Sequence, residues 1–293
     1  NVNSPAFSKD GQTLYFMSSK SGSMQLWKQS LTGGDAMQVS DYPLDIGSYK
    51  ISPDGSSVVF SLEVFNDCTE LACTKKRLDS EEASKATGSV YDKLFIRHWD
   101  TWADGRRNQL FTAKFSDNGK LVGEPKKITN DIDGDVPSKP FGDASEYAFS
   151  PDGKTIVFSV RIAGKTEAWS TNFDLYTVAA DGSSAAKNLT ADNFAMDTGP
   201  LFSHDGKTLY YRAMKRATFE ADRLAIMAMD VATGSKREIN AGWDRSADSL
   251  GLSADGKTLY TVSDDVGSHA LFAIDINTGA ARKLVGNGTV SGF

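Results

Sequence analysis

The pattern apolar-Ser-x-Asp-Gly recurs five times along this chain, and it constrains the fold more than any other feature. It starts "FSKDGQTLYF" at residue 7 and returns as "ISPDGSSVVF" at 51, "FSPDGKTIVF" at 149, "FSHDGKTLYY" at 202 and "LSADGKTLYT" at 252. Each Asp-Gly is a hairpin signal, because glycine accepts positive φ without steric cost and aspartate can bond its own backbone. The run after each turn alternates apolar and polar residues, the period of a half-buried strand. A second hairpin follows in every unit: "LWKQSLTGGDAMQVS", "LFTAKFSDNGKLVGEPKKIT", "LYTVAADGSSAAKNLT", "IMAMDVATGSKREIN" and "LFAIDINTGAARKLV". That makes four short strands per unit, at intervals of roughly 40 to 50 residues, the pattern of β-propeller blades. One interval is about twice as long and holds an insertion over about 62–93. The sequence therefore predicts an all-β chain, a β-propeller of four-stranded antiparallel blades, with five blades visible in a single domain over 1–293.

Composition narrows the partners. A net charge of −6 supplies no basic stripe to neutralise phosphates, which argues against nucleic acid. No apolar run approaches the roughly 20 residues of a spanning helix, so no membrane span is expected. The sequence does not begin with Met and shows no signal peptide, and reads as a mature or truncated chain.

Strand direction separates the connectors. If the strands of a blade are A to D, the A–B and C–D turns leave one rim, and the B–C and D–A connectors leave the other. The A–B turns are the short Asp-Gly turns. The long connectors fall on the opposite rim: the 62–93 insertion with "RHWDTWADGRR" (97–107), "RIAGKTEAWSTN" (161–172) and "RAMKRATFEADR" (212–223) as B–C, and "NDIDGDVPSKPFGDASEY" (130–147) as D–A. Loops on a rigid scaffold carry function, so this rim is the expected working face. Trp99 and Trp102 are read as a cover over the open end of the second blade. The arginines beside them are read as partners for carboxylates of neighbouring blades, while Arg97 and His98 remain candidates for ligand contact.

Catalytic chemistry is sparse. The nucleophile elbow G-x-S-x-G is absent. His98, His204 and His269 carry no triad signature. "DIDGDV" at 131 suggests a calcium loop, but Val136 stands at its sixth position and Gly142 at its twelfth, where Gly and Glu are required. Two cysteines make no zinc motif. No catalytic residue, metal or cofactor is expected.

The connectors "EVFNDC", "YDKLFIRHWDTWADGRRNQLF", "EAWSTNFDLY", "YRAMKRATFEADR" and "WDRSADSL" resemble the propeller of prolyl-oligopeptidase-family serine peptidases. The nearest branch is the dipeptidyl peptidase five or acylaminoacyl peptidase-like one; the Asp-Gly-Lys repeats alone are shared with TolB-like propellers. The resemblance implies seven blades, of which five are seen. It also implies a C-terminal α/β-hydrolase domain with Ser, Asp and His that this sequence does not contain, and a propeller that gates access for short peptides. It implies a periplasmic or secreted protein, in which Cys68 and Cys73 of "CTELAC" form a disulfide. An enzyme that removes dipeptides must hold the α-ammonium, and a carboxylate holds it best. Glu220 or Asp222 is expected to do so, with Arg223 orienting the carboxylate or holding a carbonyl, and Glu167, Trp169 and Asn172 nearby. The alternative for these charges is an inter-blade salt bridge to Arg97, Arg106 or Arg107. The alternative for the whole chain is a stand-alone TolB-like propeller that binds a protein partner.

Overall fold

The computed structural model describes residues 1–91 and 96–293. Of the insertion expected at 62–93, Asp92 and Lys93 lie outside the described residues. The strands form five four-stranded antiparallel blades, and the fold is an all-β propeller. Blade 1 holds β1 (Val2–Phe7), β2 (Thr13–Ser18), β3 (Gln25–Ser30) and β4 (Met37–Gln38). Blade 2 holds β5 (Ile46–Ile51) and β6 (Ser57–Phe65), then, beyond α1 (Leu71–Glu82) and a small hairpin of β7 (Arg97–His98) and β8 (Thr101–Trp102), β9 (Arg106–Lys114) and β10 (Lys126–Lys127). Blade 3 holds β11 (Tyr147–Phe149), β12 (Thr155–Val160), β13 (Asp174–Ala179) and β14 (Lys187–Asn188). Blade 4 holds β15 (Asp197–Phe202), β16 (Thr208–Ala213), β17 (Ala225–Asp230) and β18 (Lys236–Glu238). Blade 5 holds β19 (Gly251–Leu252), β20 (Thr258–Asp265), β21 (Ser268–Asp275) and β22 (Ala281–Val285).

The repeated Ser-x-Asp-Gly builds each A–B turn through side chains. In the first, Ser8 Oγ donates to Asp10 Oδ1 and accepts the Thr13 N–H at 2.9 Å, while Asp10 also accepts the Gln12 N–H. The same bonds recur around Ser52 and Asp54, Ser150 and Asp152, Ser203 and Asp205, and Ser253 and Asp255. Glycine follows each aspartate because φ there is close to +70°, a region that a Cβ disfavours.

Two further bonds repeat at the opposite end of the blades. A buried hydroxyl or amide oxygen just after the fourth strand accepts an N–H from the third: Ser40 from Leu26, Thr129 from Leu110, Thr190 from Leu175 and Asn240 from Ile226. Six or seven residues later the connector donates an N–H back to the root of the third strand: Ile46 to Met24, Val136 to Asn108, Asp197 to Phe173 and Ala247 to Leu224. The rung of blade 5 runs from Val290 to His269. These rungs fix a common register for all five blades.

The chain divides into two compact units, one of residues 1–144 with 164–168 and 178–186, the other of 145–163 with 169–177 and 187–293. The first is cored by Leu26, Ile46, Val58, Phe60, Leu62 and Phe111. In the second, Val157, Leu175, Leu209 and Tyr211 form one cluster, and Ile226, Leu259, Phe272 and Ile274 another. Among the described residues no helix is long and apolar enough to cross a membrane.

The insertion carries α1, which the sequence pattern did not announce. Only Leu71 and Thr74 of this helix are buried, and its start is tied down by a disulfide between Cys68 and Cys73. Thr74 Oγ1 also accepts the Phe65 N–H at the end of β6.

Candidate functional site

In the first unit the dense charge lies at the start of β9, where the chain emerges from the insertion. Arg107 donates to both oxygens of Glu167, at 2.7 and 2.8 Å, and its Nη1 also reaches Asp135 Oδ2 at 2.8 Å. The second oxygen of Asp135 accepts the Asn108 N–H. Arg106 sits between Asp104 and Glu63, and Lys139 pairs with Glu63 as well. The salt-bridge alternative for Glu167 is thus the observed one, with both carboxylate oxygens on Arg107.

Trp99 and Trp102, expected to cover the open end of blade 2, are both largely exposed. Trp99 occupies the tip of the β7–β8 hairpin at φ 51°, and it is 72% exposed. It gathers with His98 and Phe141, at ring separations of 5.2 and 5.4 Å, into an aromatic surface cluster. Arg97 lies over the Trp102 ring at 5.4 Å and donates to the Trp99 carbonyl.

In the second unit the segment 169–173 and the connector 214–224 meet where the Thr218 N–H donates to Thr171 Oγ1 at 2.8 Å. Asp222 closes its own connector by accepting the N–H groups of Lys215 and Arg216 at 2.8 and 2.7 Å. Burial pushes the Asp222 carboxyl up, but those backbone donors outweigh it and hold the pKa below the usual value. Arg223 turns away from Asp222, pairs with Glu238 and donates to the Trp243 carbonyl. Asn172, with its amide turned to donate, ties down the carbonyls of Asn193 and Ala195 at 3.1 and 3.3 Å. Asp222, Arg223 and Asn172 therefore shape the connectors, while Glu220 and Trp169 stand exposed upon them.

A cavity of about 720 Å³ in this unit lies elsewhere, beside the Asp-Gly turns, between Pro151, Val157, Phe202, Leu209 and Met229. It receives no side chain from these connectors. Among the described residues no group of His, Cys, Asp and Glu is arranged to hold a metal ion.

One group the sequence reading passed over is Asp197, at the start of β15. It is 1% exposed, and its Oδ2 has no hydrogen-bond partner. Another is His269, whose ring nitrogens point at the Val290 carbonyl and the Asp248 carboxylate.

Comparison with known proteins bears on the whole chain. Dipeptidyl-peptidase 5 of Porphyromonas gingivalis is 29% identical over 286 residues, covering 97% of this chain and 40% of that protein. Dipeptidyl-peptidase 5 of Arthroderma otae is 28% identical over 270 residues, covering 86% of this chain and 36% of that protein. The chain is homologous to dipeptidyl-peptidase 5. It spans about two fifths of the length of these dipeptidyl-peptidase 5 relatives. No protein-family profile matches it. Among solved structures, the acylaminoacyl peptidase of Pyrococcus horikoshii shares the fold with a TM-score of 0.67 at 16% identity, over 100% of this chain and 40% of that one. TolB from Acinetobacter baumannii does so with a TM-score of 0.57 at 16% identity, over 98% of this chain and 55% of that one.

Proposed function

We propose that this chain is the propeller part of a longer, periplasmic or secreted exopeptidase, where it gates access to the active site and helps to bind the free end of short peptides. The observation that carries this reading is the extent of the likeness to dipeptidyl-peptidase 5, which runs over 286 residues and so takes in the irregular connectors as well as the repeats. A disulfide in an exposed insertion fits an oxidising compartment. Peptide chemistry would come from a separate hydrolase domain, in keeping with the chain's spanning only 40% of the length of its Porphyromonas gingivalis relative.

Within this reading Glu220 holds the α-ammonium of the peptide. Its neighbour Asp222 is committed to the backbone of Lys215 and Arg216, which fixes the connector that presents Glu220. Trp169 offers an apolar wall, and Arg97 with His98 a polar and aromatic contact. A stand-alone propeller that binds a protein partner is the second reading, favoured by the TolB-like fold.

The coding sequence beyond Phe293 separates the two. A G-x-S-x-G motif within a few hundred residues, and labelling of the full-length protein by a serine-directed fluorophosphonate, are the expected results. A stop codon soon after Phe293 would leave the partner-binding reading.

A further inference from the structure

The rungs between connector and third strand set one residue of each blade at the same place: Ile46, Val136, Asp197, Ala247 and Val290. Four of the five are apolar. The fifth is a carboxylic acid buried to 1% exposure. A one-residue shift hides this in the sequence. "LDIG", "GDVP" and "MDTG" invite an alignment of Asp45, Asp135 and Asp197, yet Asp45 and Asp135 cap the N–H groups of Met24 and Asn108, whereas Asp197 stands one step further along.

The surroundings of Asp197 favour its neutral form. Burial is the main reason; against it, Asn193 Nδ2 donates to Oδ1 at 3.0 Å, a bond that favours the ion, while Oδ2 has no partner. The Thr190 hydroxyl lies near and pulls the pKa down, but it has a single proton, which points to Asp174 at 3.5 Å. Asp174 adds negative charge, whereas Lys236, the cation of β18 on this side, pulls the pKa down but is paired with Asp192. From β16, Tyr211 brings a neutral phenol, and Arg212 is engaged with the Ala247 carbonyl. Arg161, ahead of β13, lies over the Phe173 ring. On the next connector Lys215 is paired with Glu238, and Arg216 lies over Phe219. An ionised, half-satisfied carboxylate here would be a desolvated charge, which is far more costly than a neutral acid.

Asp197 also sits where two connectors join. The Asn193 amide that bonds its carboxyl bonds the Met214 carbonyl at 3.0 Å, at the root of the 214–224 connector. The Met214 N–H returns to Met196. We propose that Asp197 is a proton-operated latch: neutral, it ties the 190–196 connector to the root of the 214–224 connector, and on ionisation it releases both. The latch is a property of the fold and holds whether or not the 214–224 connector reads a peptide.

Burial sets the Asp197 pKa at about 7, well above the usual 3.8. A carboxyl raised in the closed form favours opening as pH rises from about 4 to about 7, and adds nothing further above that. Hydrogen exchange with mass-spectrometric readout on this chain at pH 5.0 and 7.5, corrected for intrinsic rates, tests this without any peptidase assay. The opening constant of peptides over 191–196 and 214–219 should rise by about 30- to 100-fold, while β20 and β21 stay level. Asp197→Asn, neutral at every pH, should abolish the rise. Should the variant fail to fold, ¹³C-carboxyl NMR of the wild type decides: an aspartate titrating near 7 supports the latch, and its absence overturns it. A rise of equal size in the folded variant, or none in the wild type, also overturns it.

Discussion

Arg107 and Glu167 meet as a two-pronged ion pair, Nη1 to Oε1 at 2.7 Å and Nη2 to Oε2 at 2.8 Å. Within the first unit the pair ties the segment 164–168 to the root of β9, and Asp135 shares the same guanidinium. Glu167 keeps only 12% of its side chain exposed, so the pair is largely sheltered from water and salt. Removing the cation would strand the Glu167 carboxylate, while Asp135 would keep the Asn108 N–H and Lys139.

Arg107→Ala should therefore destabilise the chain by about 2–4 kcal/mol, the range for breaking a sheltered pair while leaving its partner charged. Glu167→Gln, which keeps one acceptor, should cost less, about 1–2 kcal/mol. Denaturant unfolding measures both; a shifted midpoint with an unchanged slope is expected. Losses under about 0.5 kcal/mol in both variants would mean the pair is a surface contact of little weight.

The blades were legible because Ser-x-Asp-Gly makes its own turn from local bonds, so the signal survives in sequence. The clamp formed by Ser40, Thr129, Thr190 and Asn240 was not, because each partner lies 14 to 19 residues away and the type of acceptor oxygen varies. The helix α1 was missed since it buries only Leu71 and Thr74 and leans on a disulfide more than on an apolar stripe. At the site, residue types drew attention to Asp222 and Arg223, but composition cannot say whether a charge is spent internally. Geometry can: both are, and Glu220 is left.

Cys68 and Cys73 are bonded, with Cα atoms 5.5 Å apart. Thiol titration of the unfolded, unreduced chain should find no reactive thiol, and two thiols would contradict the pairing. Reduction should cost about 2 kcal/mol at most, because the loop it closes is short.

His269 lies between two acceptors, with Nδ1 2.6 Å from the Val290 carbonyl and Nε2 2.7 Å from Asp248 Oδ2. Both nitrogens can donate only in the imidazolium form, and the bond to Asp248, followed by that to Val290, holds its pKa above 6.5. A raised histidine stabilises fully below its unfolded value and loses that stabilisation as pH rises through the folded one. NMR titration should place His269 above an ordinary histidine, and Asp248→Asn should lower it. An unshifted His269 would contradict the clasp.

Gly279 adopts φ +72°, and a Cβ there would come within 2.1 Å of the Ile239 carbonyl oxygen. Strain and clash act together, so Gly279→Ala should cost about 2 kcal/mol or more. A variant as stable as the parent would show that the turn can yield.

The central claim, that the 214–224 connector reads the free end of a peptide, is tested most directly by Glu220→Gln in the full-length protein. The measurement is kcat/KM for one dipeptidyl substrate with a free and with an N-acetylated amine. The account predicts a loss of about 10- to 100-fold for the free amine, the scale of a hydrogen bond to a charged group, and little change for the blocked one. Equal losses on both substrates, or none on either, would contradict it.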